Sequence, residues 1–311
     1  MNPFGRLLDA SIFFSFDRSG YRRHARRFDP ADLDVGLEGR ICLVTGANGG
    51  LGLAIARGLA TRGATVHMLC RSADRGAAAR KTLAAETGNP NLHLHVVDLS
   101  ETASIRRFVA ALPAPRVDVL IHNAGVLPLQ RETTSEGLER TVATHLVGPH
   151  LLTALLRPRL DDARVIWVSS GGMYGTRLDP DAMLRSDDDY DGVAAYARTK
   201  RGQVVLSALW AEALADRGAT VHAMHPGWAA TPGVERSLPR FWRLMEGRLR
   251  TPEEGADTAL WLATAARIPG RTGGFWFDRR RVRTHLVPWT RETAAARRRL
   301  WQLCNQMGGV S

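Results

Sequence analysis

A tyrosine and a lysine four residues apart could carry out proton transfer in this chain. Tyr196 and Lys200 enclose the run YARTK, and a separation of four places both side chains on one face of a helix. A free tyrosine has a pKa of about 10 and is a poor base near neutrality, but a nearby ammonium favours the phenolate. Lys81 and Lys200 are the only lysines among 42 basic residues. A lysine at position 200 therefore indicates that an ammonium is needed there.

Two serines precede this tyrosine. Ser169 and Ser170 close the apolar run RVIWVSS, which predicts a β-strand, and Tyr196 follows Ser170 by 26 positions. In doubly wound folds, ligands bind at the carboxyl ends of the strands. A serine at that edge could hydrogen-bond a substrate oxygen while the tyrosine exchanges a proton with it.

A glycine-rich run, TGANGGLG, lies between a strand-like run and a helical pattern. Glycines let the backbone turn tightly and approach a pyrophosphate, which then sits at the N-terminus of the following helix. A glycine-rich loop alone is a weak signal, but a strand before it and a helix after it strengthen the prediction of a dinucleotide site. The residues expected to contact the dinucleotide in this loop are Thr45, Gly46, Asn48, Gly50, Leu51 and Gly52.

The end of the second predicted strand bears on the choice of dinucleotide. Arg71 and Ser72 stand where an acidic residue would hydrogen-bond the ribose 2′-hydroxyl of NAD. A guanidinium suits a 2′-phosphate, so NADP is favoured over NAD. The alternative interpretation is a surface arginine in an arginine-rich chain.

From Arg40 onward, short apolar runs alternate with helical patterns, and this order predicts a single Rossmann-type α/β domain. Its doubly wound parallel sheet should have about seven strands, with helices on both faces. We divide the chain into an N-terminal extension (1–39), the domain (40–278) with a substrate loop (228–250), and a basic tail (279–311). The aromatic and arginine residues of the extension predict a helix packed on the domain; a lid or a peripheral membrane contact is the alternative.

Together these motifs resemble the short-chain dehydrogenase/reductase family, and most strongly its orphan branch called member twelve. GxxxGxG spacing in the glycine loop and the serine-to-tyrosine interval are typical of the family, and the strings VSSGGM and HPGWAATPGV match the branch. The resemblance implies catalytic roles for Ser170, Tyr196 and Lys200. It also implies cofactor contacts for Asp98, Leu99, Asn123, Ala124, Gly125, Tyr196, Lys200, Pro226, Gly227 and Thr231.

His145 departs from the family pattern. It lies in the sequence HLVG, where the family usually has an asparagine in NxxG. A histidine could still hold the water that relays protons to the lysine, although its charge would vary near neutral pH. The alternative is a histidine packed between helices.

Composition limits the other functions. The net charge is +11, and much of it lies in residues 271–311, which contain nine arginines but only two acidic residues, Asp278 and Glu292. Such a basic run is typical of a solvated face, so no nucleic acid is expected as a partner. The three cysteines lack metal-ligand spacing, and no apolar run is long enough to span a membrane. These features predict a cytoplasmic protein with no metal site.

The expected activity is reversible hydride transfer between NADP(H) and a small-molecule carbonyl or alcohol. Apolar residues in the 228–250 loop favour a mainly apolar substrate. The alternative is a non-catalytic NADP-binding sensor or interaction protein on the same scaffold. The two long helices that carry His145 and Tyr196 form the association surface in much of the family, so the resemblance also implies a homo-oligomer.

Overall fold

The computed structural model describes residue 9 and residues 11–184 and 189–310. One eight-stranded sheet organises the chain. Its strands are β1 (Ile41–Thr45), β2 (Thr65–Cys70), β3 (Leu92–Val96), β4 (Val119–His122), β5 (Arg164–Val168), β6 (Thr220–Met224), β7 (Gly274–Phe277) and β8 (Arg280–Arg281). They lie in the order β3-β2-β1-β4-β5-β6-β7-β8. Strands β1 to β7 pair in parallel, and β8 is antiparallel to β7.

The predicted doubly wound fold is confirmed, and the two-residue β8 was not predicted. The strand order changes direction beside β1, because β2 lies on one side of it and β4 on the other. A crevice opens at such a switch point, outside the carboxyl ends of the strands. The glycine loop after β1 and the turn after β4 therefore meet at this crevice.

Helices cover both faces of the sheet. The helices are α1 (Ile12–Phe16), α2 (Arg18–Ala25), α3 (Gly50–Thr61), α4 (Ala73–Thr87), α5 (Thr102–Ala111), α6 (Arg140–Val142), α7 (Gly148–Leu156), α8 (Gly192–Ala213), α9 (Pro232–Ser237), α10 (Pro239–Leu244), α11 (Pro252–Thr264) and α12 (Ala294–Gly308), with a π-helical turn (Ala143–Val147) joining α6 to α7. One buried apolar cluster lies between the sheet and α5, α7, α8 and α12. The other lies between the sheet and α3, α4 and α11. Among the described residues, no helix has both the length and the apolarity that a membrane crossing requires.

The N-terminal segment packs against the domain through one buried guanidinium. Arg250, 1% exposed, pairs with both carboxylate oxygens of Asp278 at 2.6 and 3.0 Å. Its remaining N–H groups donate to the carbonyl oxygens of Ser15 and Phe16, at 2.9 Å each. A buried charge is tolerated when it is paired and hydrogen-bonded. Arg250 therefore joins α1 to the end of β7.

The C-terminal helix α12 lies against both α7 and α8. The Trp301 ring contacts the rings of Trp210 and His150, with centroids 4.9 and 4.7 Å apart. His150 Nε2 is also hydrogen-bonded to Asn305 at 2.7 Å. An oligomer formed through these two long helices would have to use the part of their surface that α12 leaves uncovered.

Removal of the Asp278 carboxylate should destabilise the fold strongly. We expect Asp278→Ala to lower the free energy of unfolding by about 3–5 kcal/mol, because Arg250 would remain buried without its counter-ion. Urea denaturation measures this, with Asp216→Ala as the control, since Asp216 forms an exposed pair with Arg157. A loss no larger than that of the control would show that Arg250 does not need this partner.

The same carboxylate should make stability depend on pH in the acidic range. Burial raises the pKa of Asp278, but the hydrogen bond from His24 and the charge of Arg250 outweigh it, and the pKa lies below the usual 3.8. A lowered folded-state pKa stabilises the fold above the unfolded-state pKa. The stability difference between the parent protein and Asp278→Ala should therefore be complete above about pH 4 and decrease as the pH falls through the folded-state pKa.

Candidate active site

The glycine loop and the turn after β4 form one close-packed unit. Gly46 and Gly50 have φ angles of +67° and +52°, which favour glycine. A Cβ at Gly52 would collide with the Gly46 carbonyl oxygen and with the side chain of Asn123. Asn123 Nδ2 donates to the Thr45 carbonyl oxygen at 2.9 Å. These contacts leave a narrow backbone cradle at the N-terminus of α3, which suits a pyrophosphate.

The side chain of Thr45 points into the protein, whereas a side chain that contacts the cofactor would face the cleft. Its side chain is fully buried, and its hydroxyl accepts from the backbone N–H groups of Asn123 and Ala124 at 2.9 and 3.0 Å. The same hydroxyl donates to the Ile121 carbonyl oxygen at 3.3 Å. Thr45 thus positions the turn after β4 through its side chain instead of facing the cleft.

The residues expected to recognise the adenosine half lie at the ends of β2 and β3. Arg71 is exposed directly after β2. Ser72 is the N-cap of α4, where its hydroxyl accepts from the Arg75 backbone N–H at 3.4 Å. Asp98 accepts from the N–H and the hydroxyl of Ser100 at 2.9 and 2.7 Å, while Leu99 is buried in the core. Asp98 therefore stabilises the loop in which it lies.

Tyr196 and Ser170 meet at the carboxyl end of β5. The Ser170 side chain lies close enough to the phenol to influence its pKa. Burial raises the pKa of Tyr196 above its usual value, and the interaction with Ser170 opposes this rise. Burial thus outweighs the lowering of the phenol pKa that was expected from Lys200. Tyr196 is therefore a neutral phenol that holds its proton.

The two serines have distinct partners. Ser169 is buried, and its hydroxyl donates to the Lys200 carbonyl oxygen at 2.8 Å, which ties β5 to α8. Ser170 is only partly buried, accepts from the Gly172 N–H at 3.2 Å and faces Tyr196. Of the two serines, Ser170 is therefore the one whose side chain lies beside the phenol.

Lys200 is a buried cation, 2% exposed. Its Nζ donates to the Val168 carbonyl oxygen at 2.9 Å and to Gln203 Oε1 at 3.0 Å. It lies 5.5 Å from the centre of the Tyr196 ring. Burial lowers the pKa of Lys200 to about 7. The lysine is thus poised between its charged and neutral forms near neutral pH.

His145 lies in the π-helical turn, behind the reaction centre. Its Nε2 accepts from the backbone N–H of Val126 at 2.9 Å, so Nδ1 carries the proton and donates to Thr199 at 2.8 Å. Burial and the charge of Lys200 lower the pKa of His145 well below its usual value. The structure therefore corrects the expectation of a variable charge: His145 is held neutral in one tautomer.

The Pro226-Gly227 turn brings the N-terminal segment to the other side of the cleft. Gly227 has a φ of +72°, and a Cβ there would collide with Arg250 and with the Phe16 carbonyl oxygen. The Phe16 ring lies where a Cβ of Gly171, the residue after Ser170, would be. Further along the sequence, the Thr231 side chain packs beside Gly50. The turn and its neighbours thus close the cleft from the side opposite β4.

Half-buried aromatic rings continue outward from Phe16. Trp228 stands 6.0 Å from Phe16, 5.6 Å from Phe13 and 5.4 Å from Phe241, between ring centroids. The sequence predicts that the aromatic residues of the extension pack on the domain, as Phe13 and Phe16 do, but it does not predict that they meet Trp228, which also contacts Phe241. Sequence reasoning also missed Gln203, whose position three residues after Lys200 and seven after Tyr196 places it on their helix face.

The assembled groups can polarise and protonate an oxygen. Ser170 and Tyr196 offer two hydroxyls at one point, and Lys200 supplies a positive charge behind the phenol. The backbone cradle of the glycine loop lies at the same edge of the sheet. Such an arrangement fits a reaction in which an oxygen gains negative charge and takes a proton while a dinucleotide lies alongside.

Comparison with known proteins agrees with this description. The family model for short chain dehydrogenases matches residues 40–240. "Dehydrogenase/reductase SDR family member 12" of Bos taurus is 42% identical over 278 residues, covering 87% of this chain and 86% of that protein. "Retinol dehydrogenase 12" of Homo sapiens is 34% identical, covering 89% of each. A solved structure, the Pseudomonas aeruginosa RhlG/NADP active-site complex, matches with a TM-score of 0.64 at 27% identity, covering 80% of this chain and 96% of that one.

The two serines should respond differently to substitution. Ser170→Ala should lower turnover of a carbonyl substrate on the order of 10² to 10³, as for other donors to a developing oxyanion. Ser169→Ala should instead lower the free energy of unfolding by about 1 kcal/mol, since it removes one hydrogen bond within the fold. Turnover assays and urea denaturation on both variants test this. A greater loss of turnover in Ser169→Ala would reverse the assignment.

Proposed function

The chain belongs to the short-chain dehydrogenase family, and we propose that it interconverts a carbonyl and an alcohol on a mainly apolar small molecule with NADP(H). One observation carries the proposal: Ser170, Tyr196 and Lys200 converge at the carboxyl end of β5, on the crevice that the glycine loop borders. No single stretch of sequence brings these groups together, so their convergence supports a common task. We also propose the division of the chain into extension, domain and basic tail as set out above.

Each side chain has a separate part in the proposed reaction. The nicotinamide supplies or accepts the hydride. During reduction, the Tyr196 hydroxyl gives its proton to the substrate oxygen, while Ser170 donates a hydrogen bond to the same oxygen and holds it in place. The Lys200 ammonium stabilises the phenolate that Tyr196 becomes. In the direction of oxidation, the phenolate takes the proton back.

NADP is the proposed dinucleotide. Gly52 lets the start of α3 pack against the Gly46 carbonyl oxygen and Asn123, where a Cβ would collide, and the free N–H groups at that end of the helix suit a pyrophosphate. Arg71 is exposed at the end of β2, where it can reach a 2′-phosphate. The structure of the related Pseudomonas aeruginosa protein is described as an NADP complex, which supports the same choice here.

The aromatic rings beside the cleft support an apolar substrate. Phe13, Trp228 and Phe241 are half-buried, and they lie on the side of the cleft where Phe16 packs against Gly171. Such rings contribute apolar contact area to a binding site. The name of one relative, a retinol dehydrogenase, agrees with a substrate of this kind.

Tyr196→Phe should abolish turnover and leave NADPH binding nearly unchanged, because the hydroxyl acts on the substrate. We would screen the purified full-length chain against a carbonyl panel by loss of NADPH absorbance, then compare the variant on the best substrate. Fluorescence titration gives the NADPH affinity. Full activity in the variant would overturn the mechanism. NADPH binding with no turnover of any carbonyl or alcohol would favour the alternative, a non-catalytic NADP sensor.

Arg71→Asp should narrow or reverse the preference for NADPH over NADH. The new carboxylate would repel a 2′-phosphate and accept a hydrogen bond from a 2′-hydroxyl. Titration of both dinucleotides measures the ratio of affinities. Arg80→Asp provides a control, because Arg80 is also exposed but lies within α4 and not at the end of β2. Equal affinities in the parent protein, or an unchanged ratio in Arg71→Asp, would argue against this role.

A further inference from the structure

Gln203 bridges two groups behind the reaction centre. Its side chain is fully buried. Oε1 accepts from Lys200 Nζ at 3.0 Å, and Nε2 donates to the His145 carbonyl oxygen at 3.1 Å. Both functional ends of the amide are therefore used, one on the catalytic helix α8 and the other on the π-helical turn.

The chain provides an acceptor for this amide by interrupting a regular helix. In an α-helix the carbonyl oxygen of residue 145 accepts from the N–H of residue 149. Residue 149 is Pro149, which has no N–H. The carbonyl lies in the π-helical turn before α7, and a buried carbonyl needs a partner. The Gln203 amide provides one.

The charge of Lys200 depends on few neighbours. Tyr196 on α8 and His145 on the π-helical turn are the titratable groups that face it among the described residues. His145 is held neutral by burial and by the charge of Lys200 itself. The turn after β4 approaches through Gly125, which has no side chain, and β5 contributes the Val168 carbonyl oxygen. No carboxylate faces the ammonium from these elements. Two neutral oxygens, on Val168 and Gln203, therefore stabilise the charge.

We propose that Gln203 is a positioning residue, which holds the Lys200 ammonium in place against the carbonyl of His145. This inference rests on the proposed function only in naming Lys200 as part of the reaction centre. The amide nitrogen donates and the amide oxygen accepts, so the bridge joins the two groups without passing a proton between them.

The charge on Lys200 can be measured directly, because Lys81 is the only other lysine. Lys81 is exposed on α4, so Lys81→Arg in the full-length chain leaves one lysine. Labelling with ¹³C-lysine then gives a single side-chain signal whose chemical shift reports the pKa of Lys200. This background serves as the parent for every comparison and requires no substrate.

Gln203→Met and Gln203→Glu should move that pKa in opposite directions. Methionine keeps the size but loses the acceptor, so the pKa of Lys200 should fall by about one to two units, the worth of a hydrogen bond to a charged group. Glutamate adds a negative charge beside the ammonium, so the pKa should rise. Ser207→Ala on the same helix, where the hydroxyl bonds only to Val204 in the described structure, is the control and should leave the pKa unchanged.

Turnover gives a second readout. At pH 7 the Gln203→Met variant should lose activity about 5- to 50-fold, because less of its Lys200 is charged. As the pH rises, its activity should decline at a lower pH than that of the parent. Gln203→Glu should shift this decline to higher pH. A mere loss of packing would lower activity at every pH without shifting the profile.

The outcomes separate this inference from the proposed function. If the Lys200 pKa is the same in Gln203→Met, Gln203→Glu and the parent, Gln203 does not position the ammonium, whatever the activity. If the parent reduces no carbonyl but the two variants shift the pKa as stated, the proposed function fails and the part of Gln203 stands. Should Gln203→Met fail to fold, Gln203→Glu alone still tests the direction of the shift.

Discussion

The packing of the N-terminal segment against the sheet depends on one buried ion pair. Arg250 and Asp278 lie almost completely out of water, where an unpaired charge would be costly. Satisfying the guanidinium draws in the carbonyl oxygens of α1 and of Pro226 as well as the carboxylate at the end of β7. The N-terminal segment, both ends of the 228–250 segment and the Pro226-Gly227 turn are therefore held together beside Ser170 and Tyr196.

A second buried cation, Lys200, is stabilised in a different way. It has no carboxylate partner among the groups that face it, and neutral oxygens stabilise its charge. Burial pushes both Lys200 and Tyr196 toward their neutral forms, but only the lysine is brought to a pKa near neutrality, about 7. The charge of Arg250 is permanent, which suits a structural part, whereas the charge of Lys200 can change.

Several features could be predicted because they depend on spacing along the chain. Alternating apolar runs predicted the parallel sheet, since each strand must be buried on both faces, and the four-residue interval placed Tyr196 and Lys200 on one helix face. The expectations for Thr45 and His145 were less accurate. Thr45 was expected to contact the cofactor, but its hydroxyl binds the turn after β4. His145 was expected to have a variable charge, but it is buried and hydrogen-bonded to Thr199 on α8. Neither partner can be read from the residues around Thr45 or His145 in the sequence.

Periodicity and short motifs were enough to predict the fold class and the glycine loop, and they placed Tyr196 and Lys200 on one helix face after the strand that ends in Ser170. The folded structure was needed to show that Phe16 packs against Gly171, that Gln203 bridges Lys200 to the π-helical turn and that Arg250 binds the N-terminal segment. Phe16 and Arg250 are 234 positions apart in the chain. Such contacts arise when the folded sheet brings distant elements to one edge, and no local pattern records which partner a buried polar group will find there.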